Sequence, residues 1–330
     1  MADQYDVLAI GNAIVDVIAS HPDSFLESNG IPKGTMRLIS AEEASALYAK
    51  MGPGREISGG SAANTAAGVA TLGGRAAFVG RVSNDQLGKV FAHDIRAAGV
   101  DYRTPAAEGG PPTGQCLIVV SPDAQRTMST YLGSCQEVDE TDVDAEMVKA
   151  ARLIYFEGYL WDPPAPIRAI RKAKAIARET GRKVALTLSD VFCVEGHRED
   201  FREMMQSGAV DIVFANENEA KSLFQTDSVE AAVEGLAALV PLAVLTRSEK
   251  GAIVVNGVGR EEVPVTPAAR VLDTTGAGDL FAAGFLTGYA QGRGLRDCAV
   301  MGTIAAAEII EHYGARPEAD LQARVKAVLG

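Results

Sequence analysis

From Ala151 onward the chain alternates apolar runs of strand length with longer runs of helical spacing. "ARLIYFEGY", "KVALTLS" and "DIVFAN" read as strands, while "APIRAIRKAKAIARETG" and "VEAAVEGLAALV" read as helices. "LAVLTRSEKGAIVV" reads as a strand pair. Successive strands separated by helices cannot pair through tight turns, so they must lie parallel. The expectation is an α/β fold with a mostly parallel central sheet and helices on both faces. The 330 residues suffice for one such domain spanning 1–330.

The first part of the chain departs from this rhythm. "YDVLAIGNAIVDVIA" reads as a buried strand, a Gly-Asn turn and a second strand. "TGQCLIVVSPDAQRTMSTYLG" reads as a hairpin turning at "SPDAQ". Between them, "GGSAANTAAGVATLGG" has the small residues of a closely packed helix. These segments suggest a small β-sheet lid, built from residues of about 12–40 and 112–132, inserted into the main domain.

Composition narrows the classes of function. The net charge of −12 argues against a nucleic-acid surface, which needs a basic patch. No uninterrupted apolar run reaches the ~18 residues of a membrane span. The amino terminus lacks the basic start and apolar core of a signal peptide. Cys116, Cys135, Cys193 and Cys298 are scattered, which suits a reducing, cytoplasmic setting. The four histidines show no metal-ligand spacing.

"VLDTTGAGDLFAAGFL" carries the strongest chemical signal. A strand is expected to end at Leu272, and a buried helix to run from Leu280 to Ala290. Gly276, Ala277 and Gly278 between them lack bulk, so their amides can converge at the helix start and hold an anion. The stretch has neither the lysine of a Walker loop nor the third glycine of a dinucleotide fingerprint. Asp279 is then puzzling, since a carboxylate repels phosphate. It fits if it accepts a proton from a hydroxyl that attacks phosphorus. A plain glycine turn with Asp279 supporting the helix end stays open as the other reading.

Such a reaction needs an alcohol held nearby. Asp16 follows a buried strand, and one carboxylate can take two hydrogen bonds from a diol. Gly59 and Gly60 allow close approach, and Asn64, about a helical turn later, can both donate and accept. Asp16 as a turn acid and Asn64 as helix-start polarity are the plain alternatives. In "NENE", Asn216 and Glu219 share one face at a strand-to-helix junction, where a helix cap with an acid in its first turn is also a good account.

"GGSAANTAAGVATLGGRAAFVGRVSNDQLG" and "DTTGAGDLFAAGFL" resemble the two signatures of the PfkB/ribokinase family of carbohydrate and nucleoside kinases. The resemblance covers essentially the whole chain. "GNAIVDV", "GTMRLIS", "TLSDVF" and "DIVFANENEA" are most similar to the adenosine kinase branch. The resemblance implies a ribokinase-like fold and an ATP- and magnesium-dependent phosphotransferase. Its acceptor would be the primary hydroxyl of a ribosyl compound, adenosine at its 5′-oxygen first. A free sugar is the alternative acceptor, and a non-catalytic ligand-binding homologue is the alternative class.

Residue by residue, the resemblance makes Asp279 the base and Gly276, Ala277 and Gly278 the anion hole. Asp16 would bind the ribose hydroxyls, beside Gly60 and Asn64. Arg126 would reach the phosphates, and Asn216 and Glu219 would organise magnesium through water. Thr246 and Gly251 match positions near the nucleotide. Ile14, Met36, Leu38 and Phe192 match a purine sandwich, joined by Tyr159 or Leu160. Asp273 and Thr275 match a potassium-type cation position. Ser248 and Thr303 depart from the family pattern, where glycine and asparagine are frequent. A monomer and a homodimer are both compatible with this reading.

Overall fold

The fold is given by a computed structural model describing residues 4–123, 125–161 and 163–330. The first three residues of the amino-terminal stretch and Ala124 of the expected "SPDAQ" turn lie outside it.

A nine-stranded sheet forms the body, in the spatial order Arg260–Val263, Ala252–Asn256, Leu242–Thr246, Ile212–Asn216, Lys183–Thr187, Ala151–Glu157, Tyr5–Ile10, Ala76–Val79 and Asp101–Tyr102. All neighbours pair parallel except at one edge, where Ala252–Asn256 runs antiparallel to both its partners. The central strands are apolar on both faces because both are covered. Along Tyr5–Ile10, Val7 and Ala9 face one core, while Leu8 and Ile10 face the other. The first core packs the Ser61–Thr71, Ala277–Ala290 and Leu295–Ile309 helices against the sheet, and the second packs Pro164–Glu179 and Val191–Gln206. The fold is ribokinase-like: a large, mostly parallel sheet between helices, with a second small sheet.

That second sheet has five strands, ordered Met36–Leu38, Arg126–Tyr131, Gly114–Val120, Ile14–Ser20 and Arg55–Gly59. It takes in Arg55–Gly59, which lay outside the segments expected from the sequence. The Gly11–Ala13 connection therefore does not close a hairpin. It carries the chain from the large sheet into the small one, and the Asn12 amide is held there by Glu157 Oε1 at 2.8 Å.

The strand expected to end at Leu272 does not form. Val271 is 63 % exposed, so no neighbouring strand rewards extension there. The Leu272 amide donates instead to the carbonyl of Ile310, at 2.8 Å. The helix after it runs from Ala277 to Ala290, buried nearly all round as its composition requires.

Candidate active site

A cavity of about 400 Å³ opens between the two sheets. Its floor is made by the carboxyl ends of parallel strands, through Glu157, Thr187, Asn216 and Thr246, and by the start of the Ala277–Ala290 helix. This is where open α/β sheets place ligands. Its roof is the small sheet, through Ile14, Met36, Leu38, Ile118 and Met128.

At the helix start, Gly276 has φ +77°, and a Cβ there would meet Ala315 Cβ at 2.7 Å. Only glycine allows this turn, which leaves the first amides of the helix facing the cavity without a side-chain cap. Asp279 sits within that first turn. Its Oδ1 accepts from Ser61 Oγ at 2.6 Å and its Oδ2 from Asn64 Nδ2 at 2.9 Å. Burial pushes its carboxyl up, against those two hydrogen bonds and Arg316. It is a stronger base than an exposed aspartate. Asn64 has spent its amide on Asp279, and its Oδ1 is buried with no partner. An unpartnered buried acceptor costs about 1–3 kcal/mol unless a hydroxyl reaches it.

Asp16 projects from the small sheet into the same cavity. Burial raises its carboxyl to about 6, with Arg126 and Arg316 opposing and Asp279 reinforcing the rise. Gly59 lies across the strand pair beneath it. A Cβ at Gly59 would land 2.6 Å from the Asp16 carboxyl, so this glycine makes room for the acid and does not itself line the cavity. Gly60 has φ +93°, with the Asn12 carbonyl 2.0 Å from where its Cβ would stand. It starts the Ser61–Thr71 helix without a side chain to cap it. Glu157, at the end of a distant strand, supplies the missing cap: its Oε2 accepts from the Ala62 amide at 2.7 Å.

The apolar wall collects Ile14, Met36, Leu38, Tyr159 and Phe192. Leu38 and Phe192, 51 % and 37 % exposed, both line the cavity. The Tyr159 and Phe192 rings stand 5.9 Å apart. Leu160, the other candidate for this wall, is fully buried in the second core.

Asn216 and Glu219 form a complete capping box on the Glu217–Phe224 helix, and both also line the cavity. Burial raises the Glu219 carboxyl to about 7. Thr246 lines the cavity, whereas Gly251 does not. Gly251 has φ +84° and packs a possible Cβ position 2.0 Å from the Val263 carbonyl, which is why no other residue fits that turn. Ser248, where glycine is frequent, adopts φ +50°. Thr303 is buried, with its hydroxyl 2.8 Å from that of Thr266.

Arg126 and Asp273 lie behind the helix start. Arg126 Nη2 is 2.5 Å from Asp273 Oδ2, and its Nη1 donates to the Thr275 hydroxyl. Its Nε is buried without a partner, and Arg126, expected to reach the phosphates, is not among the residues lining the cavity. Asp273 also accepts from the amides of Thr275 at 2.9 Å and Gly314 at 3.0 Å. The carboxylate expected beside a monovalent cation is thus taken up by donors of the chain itself.

Ser61, Glu157 and Arg316 escaped the sequence reading. Glu157 had a signal, an acid closing an otherwise apolar strand. Arg316 had none: it is an arginine in a Gly/Pro-flanked loop. In the fold its guanidinium donates to Ser58 O at 3.0 Å, Ala63 O at 2.6 Å and Ser58 Oγ at 3.1 Å. It ties the end of a lid strand to the helix whose Ser61 and Asn64 hold Asp279. Among the described residues no group of three or more His, Cys, Asp or Glu could hold a metal directly, and no helix is long and apolar enough to cross a membrane.

A family model described as pfkB family carbohydrate kinase matches residues 35–321. The structure of adenosine kinase from Sinorhizobium meliloti is 53 % identical in sequence, with a TM-score of 0.93 over 98 % of this chain and 99 % of that one. That of a probable sugar kinase from Rhizobium etli CFN 42 is 51 % identical, with a TM-score of 0.94 over 98 % of each. Adenosine kinase from Saccharomyces cerevisiae is 27 % identical over 333 residues, covering 93 % of this chain and 95 % of the relative. Two neighbours of nearly equal likeness therefore carry a nucleoside kinase's name and a sugar kinase's name.

Proposed function

This chain belongs to the pfkB family of carbohydrate kinases, and from that premise we propose that it phosphorylates the 5′-hydroxyl of adenosine with ATP. That it is a kinase transferring a phosphoryl group to an alcohol follows from its family and relatives. The choice of acceptor is our reading of the cavity.

One observation carries it. Asn64 holds the Asp279 carboxylate with its amide while its own oxygen is buried and unpartnered, at the mouth of a bare helix start. A ribosyl hydroxyl satisfies that oxygen and comes within reach of Asp279. Asp16 takes the ribose diol from the lid side. The apolar wall from Ile14 to Phe192 then has a partner in the base. A free sugar would leave Leu38 and Phe192 facing water. Stacking on Phe192 and Tyr159 is worth about 1–3 kcal/mol for a base and little for a sugar.

The reaction follows from the same groups. Asp279 accepts the hydroxyl proton as the oxygen bonds to the γ-phosphorus. Amides of residues 276–279 stabilise charge on the transferring oxygens, worth about 3–4 kcal/mol for a single well-placed donor. Arg126 lies behind them with its charge matched by Asp273 and its Nε unengaged. Magnesium, when bound, would supply positive charge to the donor phosphates. Asn216 and Glu219 fit a role through water, since their direct hydrogen bonds go to each other. Asp273 and Thr275 do not fit a cation ligand pair, and no step here passes through a monovalent ion. Closing the small sheet over the ligand expels water and strengthens every polar contact.

A screen of nucleosides and free sugars, read by thermal shift and by ADP release, tests the assignment. Adenosine should stabilise the protein and release ADP, with ribose and fructose doing neither. ADP release with a free sugar and not with adenosine would give the site to a sugar.

A further inference from the structure

A second cavity, of about 430 Å³, lies at the opposite end of the large sheet from the site above. It is bounded by the last turns of the Pro164–Glu179 helix and by the turns entering the Lys183–Thr187 and Ile212–Asn216 strands. Arg171, Lys174, Arg178, Arg182 and Lys183 line it, against the single acid Asp211. That acid is already engaged, accepting from Lys183 Nζ at 2.7 Å and from the Val184 amide at 2.9 Å. With Lys183 paired to that acid, the row of Arg171, Lys174 and Arg178 remains a marked exception in a chain of net charge −12.

The Pro164–Glu179 helix shows the contrast on its own surface. On one face, Arg168 pairs with Glu140 at 2.8 Å and Lys172 donates to the carbonyls of Glu140 and Val143. On the other face Arg171, Lys174 and Arg178 have neither a hydrogen bond nor an ion pair among the described residues. Their spacing of three and four places them in one row. Burial, with Arg171 beside it, lowers the Lys174 ammonium below its ordinary value. Lys174 is partly buried beside the exposed Arg171 and Arg178, and a bound anion offsets both its lost hydration and the repulsion within the row. The helix dipole does not account for the row. It favours cations only in the last turn, which holds Arg178, whereas Arg171 and Lys174 lie earlier.

We propose that this cavity is a second anion site, built for a chain of phosphates. The row from Arg171 to Arg178 spans about 10 Å at 1.5 Å per residue, longer than one phosphate and matched by a di- or triphosphate. The rim is open at Gly181 and Gly208, whose φ of +67° and +69° the turns there require. The site is independent of the acceptor assigned to the active site.

Isothermal titration with inorganic tripolyphosphate at low ionic strength tests it. The wild-type chain should bind two equivalents, one at the active-site amides and one here. The triple variant Arg171→Ala, Lys174→Ala, Arg178→Ala should bind one, with kcat and KM for the reaction unchanged. Alanine is the best helix former, so the helix persists, and circular dichroism checks it. Raising the salt to about 0.5 M should weaken the second equivalent at least tenfold, as screening demands. Equal stoichiometry in the two proteins overturns the proposal, whatever binds at the active site.

Discussion

In the proposed reaction Asp279 is the residue on which the chemistry turns, and its neighbours show why an acid can stand beside phosphate. Ser61 and Asn64 orient it, while burial raises its basicity. Asp279→Asn keeps the shape and removes the proton acceptor. Turnover should fall by about 10²–10⁴-fold, with Tm unchanged or higher because a buried charge is gone. Near-normal turnover in steady-state assays would remove Asp279 from the mechanism. In the same proposal Asp16 plays a different part: it binds the ribose. Asp16→Asn should raise KM for the ribosyl substrate far more than it lowers kcat. In the wild type KM should rise as pH falls through about 6, where Asp16 takes up a proton. An Asp16→Asn variant with unchanged KM would mean that the diol is held elsewhere. Both acids were legible as candidates in the sequence. Arg316, which adds positive charge near both, was not, because nothing in "YGARPE" says where the arginine will point.

Among the elements, the Ala277–Ala290 helix owes its function to how it begins. Gly276 permits a left-handed turn packed against Ala315, and that turn leaves the first amides uncapped. Gly276→Ala forces a Cβ into Ala315 and an unfavourable φ. It should cost on the order of 2–4 kcal/mol of stability and lower turnover as well, measured by denaturant unfolding and initial rates. Loss of stability with full turnover would show that the amide geometry is dispensable. The helix was readable from its apolar run, but the strand expected before it was not there. A short apolar stretch becomes a strand only where a neighbour offers its hydrogen bonds, and Leu272 finds the Ile310 carbonyl instead. The capping box of Asn216 and Glu219 was foreseen as one of two readings, and the fold gives both residues a place at the cavity as well.

At the scale of the whole molecule, the cavity concentrates buried acids, and this sets how stability depends on pH. Asp16 is raised to about 6, and Glu157 and Glu219 to about 7, each chiefly by burial. Their folded values lie above their unfolded ones. The stability they lend is therefore complete below about pH 4 and is lost as pH rises through 6 to 7. Carboxylates held low by ion pairs, such as Glu217 and Glu230, act in the opposite sense but only in the acid range. The ligand-free protein should thus melt at a lower temperature at pH 8 than at pH 6. Asp16→Asn should flatten that slope. A wild-type Tm that climbs from pH 6 to pH 8 would contradict this account of the cavity.

The alternation of strand and helix, the glycine turn before a buried helix, and the residue types that a kinase site requires can be read from the amino acids in order. These are local matters of periodicity, backbone freedom and side-chain chemistry, and each is written in a few consecutive residues. Only the tertiary structure decided that Arg55–Gly59 joins the lid, that Tyr159 and not Leu160 faces the cavity, and that Glu157 caps a helix 95 residues away. It also decided that Arg126 pairs with Asp273. Those outcomes depend on which distant segments share a low-dielectric space. There a charge must find a partner, and the partner's place in the chain carries no local mark.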